Sequence, residues 1–413
     1  TVIAGENDTG KSTVGKIVFC IIKAISRYEE DFQESREFKL QDKLDRLFFF
    51  IRKNINTLYD EEKFHDIENL FSIDRITQNE NNIDNYLYRL RSDVMDFIGR
   101  NDPSRQSEIF IVNLINELEL ILKSPEDKQK SIENALNKVF RSEFNSNIVH
   151  YNHDIGYIKL YENELLLLDI EINQENKIIL RNKVQPIEIE EATFVETPII
   201  LNNHDLLIRS QTGLDITKRS SRRLGVPYTT LHTKDLFEKL KTLEFMLYFE
   251  EAFESNIKDK IKTLMKGDII YDNDDKDFVY IKDNMIDKNN KIHIKNTATG
   301  IKSFGIIQLL INNGFINRTS ILILDEPEIH LHPKWQLVYA QIISILAKNE
   351  IPIIVTSHSP YMIEAIKRYS DFENITNKTN FYLSCNNEIV KENDLEAIFN
   401  VLSDKEYLKI LSL

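Results

Sequence analysis

Residues 321–333 read Ile321-Leu322-Ile323-Leu324-Asp325-Glu326-Pro327-Glu328-Ile329-His330-Leu331-His332-Pro333. The four aliphatic residues, bounded by polar ones, predict a short strand buried on both faces, as at the centre of a parallel sheet. Ligands of open α/β sheets bind beyond the carboxyl ends of the strands, so Asp325 and Glu326 are expected at the mouth of a site. One acid would hold Mg²⁺ and the other would orient a water. The alternative is an ordinary acidic loop after a core strand.

The start of the chain favours the first interpretation. It reads Gly5-Glu6-Asn7-Asp8-Thr9-Gly10-Lys11-Ser12, which fits the phosphate-binding pattern G-x-x-x-x-G-K-[ST], and Thr13 follows. Residues 1–4 are strand-like, and an apolar helical run covers residues 14–25. In such a loop, backbone N–H groups surround phosphate oxygens, the lysine reaches the β and γ phosphates, and the serine hydroxyl binds Mg²⁺. The pattern therefore predicts a nucleotide site.

Composition limits the possible functions. The 413 residues carry a net charge of −14, with 66 acidic and 52 basic side chains, so a globally basic nucleic-acid-binding surface is not expected. The two cysteines, Cys20 and Cys385, indicate neither a disulfide framework nor a cysteine-based zinc site. No apolar run approaches the roughly 18 residues of a membrane span. We expect a protein of the reducing cytosol without membrane partners.

Periodicity divides the chain into five segments. Residues 1–28 and 267–413 are predicted to form the two parts of a nucleotide-binding head. Residues 29–147 have helical spacing and mixed charges, which predicts a helical insertion with a solvated face. Residues 148–201 alternate like an antiparallel β subdomain that includes residues 192–198. Helical spacing returns in residues 202–266.

Four shorter motifs add candidate functions. The basic residues Lys218, Arg219, Arg222 and Arg223 would meet DNA phosphates or an acidic partner, or form a solvated loop. Residues 272–277 are acidic but lack calcium-loop spacing, so they predict a hairpin tip. Residues 296–305 form a small-residue turn that opens a helix and offers N–H groups to a phosphate. His358 lies at the end of the strand that follows residues 321–324 in the chain, where it is placed to hydrogen-bond a γ-phosphate or the attacking water.

In this order the motifs resemble the ATP-binding-cassette (ABC) class of P-loop ATPases, in the branch with SMC-like heads, break-repair ATPase heads and OLD-like proteins. Residues 5–12 match Walker A, and residues 296–302 lie where the signature turn does. Residues 324–333 look like Walker B with the D-loop, and residues 356–360 resemble the switch-histidine loop. The resemblance implies an α/β head with a mixed central sheet, an antiparallel β subdomain and an α-helical insertion.

The resemblance also implies roles for individual residues. ATP would be bound by Gly5, Asn7, Asp8, Thr9, Gly10, Lys11, Ser12 and Thr13. Ser12 and Asp325 would hold Mg²⁺, Glu326 would polarise the lytic water, and His358 would sense the γ-phosphate. The signature turn, Thr297, Ala298, Thr299 and Gly300, would close on the ATP of a second head. Ala298 departs from the serine usual there, so Thr297 or Thr299 substitutes or hydrolysis is slow. The adenine-stacking aromatic is expected before Thr1.

Heads of this type without long coiled-coil arms resemble ATPase subunits of bacterial anti-phage systems, such as Septu, PARIS and retron-associated ATPases. That resemblance implies a separate nuclease or toxin effector and a phage-protein trigger. Only 53 residues follow Pro360, without a spaced acidic cluster, so no nuclease is expected within this chain. The alternatives are a DNA repair or recombination ATPase that binds DNA directly, and a slowly hydrolysing ATP-bound scaffold.

Overall fold

The computed structural model describes residues 1–53, 69–71, 83–101, 105–123, 127–145, 147–150, 152–214, 227–242, 252–283, 291–385 and 388–402. The helices are α1 (Lys11–Lys53), α2 (Ile83–Asn101), α3 (Arg105–Lys123), α4 (Lys128–Phe144), α5 (His204–Leu207), α6 (Leu231–Lys241), α7 (Ala252–Met265), α8 (Thr299–Asn312), α9 (Pro333–Lys348), α10 (Pro360–Phe372) and α11 (Leu395–Leu402). The strands are β1 (Val2–Gly5), β2 (Gly156–Glu162), β3 (Leu165–Ile172), β4 (Ile178–Leu180), β5 (Glu191–Val195), β6 (Gly267–Asp272), β7 (Asp277–Lys282), β8 (Lys291–His293), β9 (Ser320–Asp325), β10 (Ile353–Ser357), β11 (Phe381–Cys385) and β12 (Glu388–Lys391).

The chain forms two compact units, one of residues Thr1–Ser26 and Glu133–Leu413, the other of residues Arg27–Ile132. The first unit contains a six-stranded sheet in the order β12-β11-β1-β10-β9-β5. All neighbouring strands run parallel except β12, which is antiparallel to β11. All four residues of β1 are buried, as expected for a strand covered on both faces. The predicted α/β class with a mixed central sheet is confirmed.

The helices after β9 and β10 begin with side-chain caps. At α9, the His332 ring accepts a hydrogen bond from the Lys334 N–H, and Pro333 occupies the first turn. At α10, Ser359 Oγ accepts from the Met362 N–H at 3.3 Å. These caps satisfy N–H groups that have no partner inside the helix. They also end the loops that follow β9 and β10 at defined residues.

Two three-stranded antiparallel sheets lie between strands of the six-stranded sheet in the sequence: β2-β3-β4 between β1 and β5, and β6-β7-β8 between β5 and β9. The acidic residues 272–277 close the β6–β7 hairpin, as predicted. The assignment of residues 192–198 to the antiparallel meander is wrong, because β5 pairs in parallel with β9, with Val195 opposite Leu324. Four consecutive residues of β5 are buried, so it is covered on both faces, whereas a meander strand has one solvated face.

The second unit is helical, and its core comes from one face of each of α1, α2 and α3. Apolar side chains recur on these faces at helical spacing and form one buried cluster that includes Leu44, Leu47, Leu90, Ile111 and Leu118. Arg36 donates to the Leu122 carbonyl at 2.8 Å, which satisfies a carbonyl at the end of α3. The predicted α-helical insertion is present in these residues.

Two further observations concern the cysteines and the apolar character of the helices. Cys20 is buried and Cys385 is half-buried, and both are free thiols. Among the residues described, no helix combines the length and the apolar character that crossing a membrane requires.

Phe194 of β5 packs against the first turns of α1, and its substitution tests that packing. Its side chain is fully buried, and a Cβ at Gly15 would lie 2.9 Å from its ring, so helix and strand touch directly. Phe194→Ala should lower the free energy of unfolding by about 3–5 kcal/mol, measured by urea denaturation. The control is Phe372→Ala, whose side chain is 75% exposed and which should change stability by less than about 0.5 kcal/mol. Equal losses in the two variants would contradict this account of the packing.

Candidate nucleotide-binding site

Residues 5–12 form a tight loop between β1 and α1. Asp8 and Gly10 adopt positive φ angles of 63° and 87°, which bend the backbone back on itself. At Gly5 a Cβ would lie 2.5 Å from the Ser384 carbonyl oxygen, so only glycine fits beside β11. Ser384 Oγ donates to the Thr9 carbonyl at 2.7 Å. The loop is therefore supported from the neighbouring strand, while its residues Asn7 and Asp8 are exposed.

Lys11 and Ser12 face the carboxyl end of β9. Ser12 Oγ donates to Asp325 Oδ1 at 2.8 Å, and Lys11 Nζ lies 3.9 Å from Glu326 Oε1. Lys11 also donates to the Glu6 carbonyl. Burial lowers the pKa of Lys11, although the nearby Glu326 and Asp325 carboxylates attract its charge. A buried ammonium with donors to spare is suited to bind phosphate oxygens.

The pair of Ser12 and Asp325 fits a magnesium ion. Mg²⁺ prefers oxygen ligands and takes few from the protein, keeping waters and substrate phosphates for its other positions. The Ser12 hydroxyl and one Asp325 carboxylate oxygen lie side by side, as in P-loop proteins where such a pair holds the metal. No cluster of three or more histidine, cysteine or acidic side chains suited to a metal occurs among the residues described.

Glu326 lies between the loop and His358. Its backbone has a positive φ of 47°, and its N–H donates to the Thr356 carbonyl and to Thr356 Oγ1, both at 3.1 Å. Thr356 Oγ1 in turn donates to Asp325 Oδ1. His358 Nδ1 lies 3.2 Å from Glu326 Oε1. The ends of β9 and β10 thus hold the predicted catalytic carboxylate against the predicted histidine.

Glu328 is a site residue for which the sequence analysis assigned no role, although it lies three residues beyond Asp325. Its side chain is only 4% exposed. One carboxylate oxygen, Oε1, accepts from Ser357 Oγ at 2.6 Å and from the His358 N–H at 3.3 Å, whereas Oε2 has no partner. Burial raises the pKa of Glu328, against the hydrogen bond from Ser357. Glu328 holds the histidine loop in place.

A second group without a predicted role lies at the end of β5. The buried His232 ring is 2.6 Å from Glu143 Oε1 and 3.2 Å from Glu196 Oε2, and Lys16 donates to Glu196 at 3.3 Å. The hydrogen bond from His232 lowers the pKa of Glu196 to about 2. Burial opposes the charge of His232, but its two carboxylate partners outweigh burial and raise its pKa. No spacing pattern links residues so far apart in sequence.

The signature turn is part of α8 and its N-terminal flank. Ala298 is the exposed N-cap residue and offers no capping hydrogen bond, whereas Thr297 is buried. A Cβ at Gly300 would lie 2.6 Å from the Trp335 ring, so glycine permits close packing on α9. The basic residues Lys218, Arg219, Arg222 and Arg223 lie outside the described residues.

Comparisons with known proteins give a match for part of the chain. A protein-family profile described as "AAA domain, putative AbiEii toxin, Type IV TA system" matches residues 299–364, from α8 into α10. No curated protein matches the chain significantly. Together with the placement of residues 5–12 beside Asp325 and Glu326, the profile match supports a P-loop ATPase domain.

One similar solved structure is the Smc head domain with an extended coiled coil, bound to the C-terminal domain of ScpA, from Pyrococcus furiosus. It shares 11% sequence identity with this chain at a TM-score of 0.26. The alignment covers 98% of this chain and 64% of the other chain.

The buried carboxylate of Glu328 predicts a pH-dependent stability difference. Its folded-state pKa is raised above the ordinary value of 4.5, so the charged carboxylate destabilises the folded protein. This destabilisation is fully present above the folded-state pKa and disappears as the pH falls towards 4.5. Glu328→Gln should raise the free energy of unfolding at pH 8 by roughly 1 kcal/mol, because it removes a buried charge with one unpartnered oxygen. Near pH 4 it should match the wild type.

Urea denaturation at the two pH values tests this, with the exposed Glu162→Gln as the control that shows no such difference. A Glu328→Gln protein that is less stable than the wild type at pH 8 would contradict the assignment of a raised pKa.

Proposed function

We propose that this chain binds and hydrolyses ATP as an ABC-type ATPase. One arrangement carries the proposal. Ser12 Oγ lies 2.8 Å from Asp325 Oδ1, and Glu326 lies between Lys11 at 3.9 Å and His358 at 3.2 Å. A cation, a metal-binding pair, a carboxylate and an imidazole therefore meet at one edge of the sheet. Phosphoryl transfer to water needs this set, because its catalysis consists mainly of positioning and charge stabilisation.

Each side chain has a distinct role in the proposed reaction. Residues 5–13 and the N-terminus of α1 bind the triphosphate, with Lys11 on the β and γ oxygens. Ser12 and Asp325 would hold Mg²⁺, which would supply positive charge to neutralise the phosphates. Glu326 orients the attacking water and accepts its proton on a carboxylate oxygen. His358 hydrogen-bonds the γ-phosphate and is held there through the contacts of Glu328.

We also propose that ATP joins two copies of this chain head to head. The N-terminus of α8, where Ala298 is exposed beside Thr297, Thr299 and Gly300, would meet the γ-phosphate bound by the other copy. Two ATP molecules would then lie in one interface, and hydrolysis would open it. The exposure of Ala298 and the alignment of N–H groups at the start of a 14-residue helix support this arrangement.

In the cell, we propose a cytoplasmic ATPase subunit of an anti-phage defence complex. Its ATP-dependent assembly would hold a separate nuclease or toxin effector, and a phage-protein trigger would release that effector. The net charge of −14 favours a protein partner over direct contact with nucleic acid. DNA binding through Lys218, Arg219, Arg222 and Arg223 stays a prediction of the alternative function in repair.

Ala298 favours a second candidate function, an ATP-bound scaffold that turns over slowly. The side chain at the N-cap of α8 has no hydroxyl to donate to a γ-phosphate, so closure would rely on backbone N–H groups alone. Such a protein would assemble with ATP yet release little phosphate.

Glu326→Gln tests the switch. Because the amide cannot accept a proton, phosphate release should fall about 10²–10⁴-fold while ATP still binds. Light scattering coupled to size-exclusion chromatography, with and without ATP and Mg²⁺, should show an ATP-dependent assembly that the variant retains longer than the wild type. The matched control is Glu364→Gln, a surface carboxylate paired with Arg368 on α10. Assembly that ignores ATP, with no phosphate release in any variant, would reject the proposed function.

Ala298→Ser separates the two candidate functions. A serine N-cap should add about 1 kcal/mol to the free energy of unfolding, because its hydroxyl accepts an N–H of the first turn. If assembled heads hydrolyse ATP, the new hydroxyl should raise phosphate release about tenfold. Ala298→Gly is the control, since glycine also suits an N-cap but brings no hydroxyl. An unchanged rate in the serine variant would count against Ala298 as the reason for slow turnover.

A further inference from the structure

A cavity of about 320 Å³ is formed where the loops after β5 and β9 meet the helices α8 and α9. Its lining comes from residues 195–198, from Ser303 and Ile306 of α8, from the segment 325–330, and from Tyr339 of α9. All of these residues belong to one compact unit. Ligand pockets measure about 300–1,000 Å³, so this cavity has room for a small molecule.

The charge of the lining is negative. Glu196, Asp325 and Glu326 line the cavity, and no lysine or arginine does so among the residues described. The ammonium groups of Lys16 and Lys11 approach Glu196 and Glu326 to 3.3 Å and 3.9 Å, but these two lysines lie outside the lining. A cleft lined by one sign of charge attracts the opposite sign. The cavity therefore favours a cation and disfavours a phosphate.

Tyr339 adds a buried polar group that lacks a partner. Its side chain is 2% exposed, and its ring packs against Phe304 with the ring centroids 5.2 Å apart. Among the residues described, its hydroxyl has no hydrogen-bond partner. Burial raises the pKa of Tyr339, so the hydroxyl stays protonated. A buried hydroxyl without a partner is unfavourable, and a ligand in the cavity that hydrogen-bonds to it would remove this cost.

The remaining walls are largely aliphatic. Val195, Ile306 and Ile329 line the cavity together with two prolines. A metal ion would gain nothing from such walls, and no cluster of three or more metal-binding side chains occurs in the described part of the chain. The lining instead suits an organic cation with an apolar portion, because methylene groups gain free energy when they leave water.

We propose that this cavity binds an aliphatic diamine, a short run of methylene groups with an ammonium group at each end. The ammonium groups donate to the carboxylates of Glu196 and Glu326 and to the Tyr339 hydroxyl, and the methylene groups pack on Ile306 and Ile329. Such hydrogen bonds between charged groups are stronger than neutral ones. Two ammonium groups also match a lining that holds three carboxylates.

A bound diamine would regulate the proposed reaction. An ammonium group paired with Glu326 would hold the carboxylate that orients the attacking water, so phosphate release would slow while ATP stayed bound. This consequence rests on the proposed function. Binding of the diamine does not, because the cavity is present without a nucleotide.

Calorimetric titration without ATP tests the site with three probes of equal length. Putrescine carries two ammonium groups, butylamine carries one, and butanediol carries none. Putrescine should bind about tenfold more tightly than butylamine, and butanediol should not bind detectably. Tyr339→Phe keeps the ring and should weaken putrescine binding about fivefold. Glu196→Gln should weaken it about tenfold, because it removes one carboxylate charge.

Trp335 reports where the probe binds. It is the single tryptophan of the chain, and its ring centroid lies 5.7 Å from that of Phe304, which packs on Tyr339. Its fluorescence should change over the same putrescine concentrations that give heat. Heat without any change in fluorescence would count against binding in this cavity.

Two control variants lie outside the cavity. Tyr369→Phe removes the hydroxyl of a half-buried tyrosine on α10, and Glu364→Gln removes a surface carboxylate of the same helix. Both variants should bind putrescine like the wild type. These controls are needed because a chain with a net charge of −14 attracts polyvalent cations in general.

The outcomes separate specific binding from general attraction. If butylamine binds as tightly as putrescine, or if Glu364→Gln weakens putrescine binding as much as Glu196→Gln does, the cavity is not the site. Unchanged putrescine binding in both Tyr339→Phe and Glu196→Gln would also overturn the proposal.

Phosphate release distinguishes this proposal from the proposed function. At putrescine concentrations that saturate the wild type, release should fall in the wild type and less in Glu196→Gln. If the wild type hydrolyses ATP but binds no putrescine, the diamine site is wrong and the proposed function stands. If it binds putrescine in this cavity but neither binds nor hydrolyses ATP, the proposed function fails and the diamine site stands.

Discussion

The candidate site depends on the pairing of β10 between β1 and β9. In that register Ala4 lies opposite Ser357, and Thr356 lies opposite Asp325, so three strands end at one edge of the sheet. The hydrogen bond from Ser12 to Asp325 then joins residues separated by 313 positions in the chain. Closing so long a loop costs conformational entropy, which burial of the apolar strands must offset. The chemistry of the site is thus a consequence of strand order.

Charge at this edge is unevenly balanced. Asp325, Glu326 and Glu328 converge on Lys11, and the burial of Lys11 and Glu328 shifts their pKa values in opposite directions, each towards the neutral form. A site with more carboxylates than cations gains from a bound divalent cation, which suits a metal–nucleotide ligand. The positive φ of Glu326 adds backbone strain, and both hydrogen bonds from its N–H to Thr356 hold that conformation.

Local patterns carried much of the prediction. The loop at residues 5–12, the hydrophobic strand before Asp325 and the helix opened by residues 296–305 each depend on residues close in sequence, whose spacing is visible without the fold. The small-residue turn at residues 296–305 does open a helix, α8, which begins at Thr299. By contrast, β5 was assigned to the wrong sheet, because the sequence of a five-residue strand does not specify which strand it pairs with.

The sequence alone determined which residues form the site: the loop glycines, the acids after β9 and the histidine after β10. Each of them serves a local backbone conformation or a specific chemistry. Other relationships exist only after folding. Glu143, His232 and Glu196 meet through three elements far apart in sequence, and Tyr157 comes beside α1 only because β2 packs there. Such contacts have no period or motif, since they arise from the packing of whole elements and not from neighbouring residues.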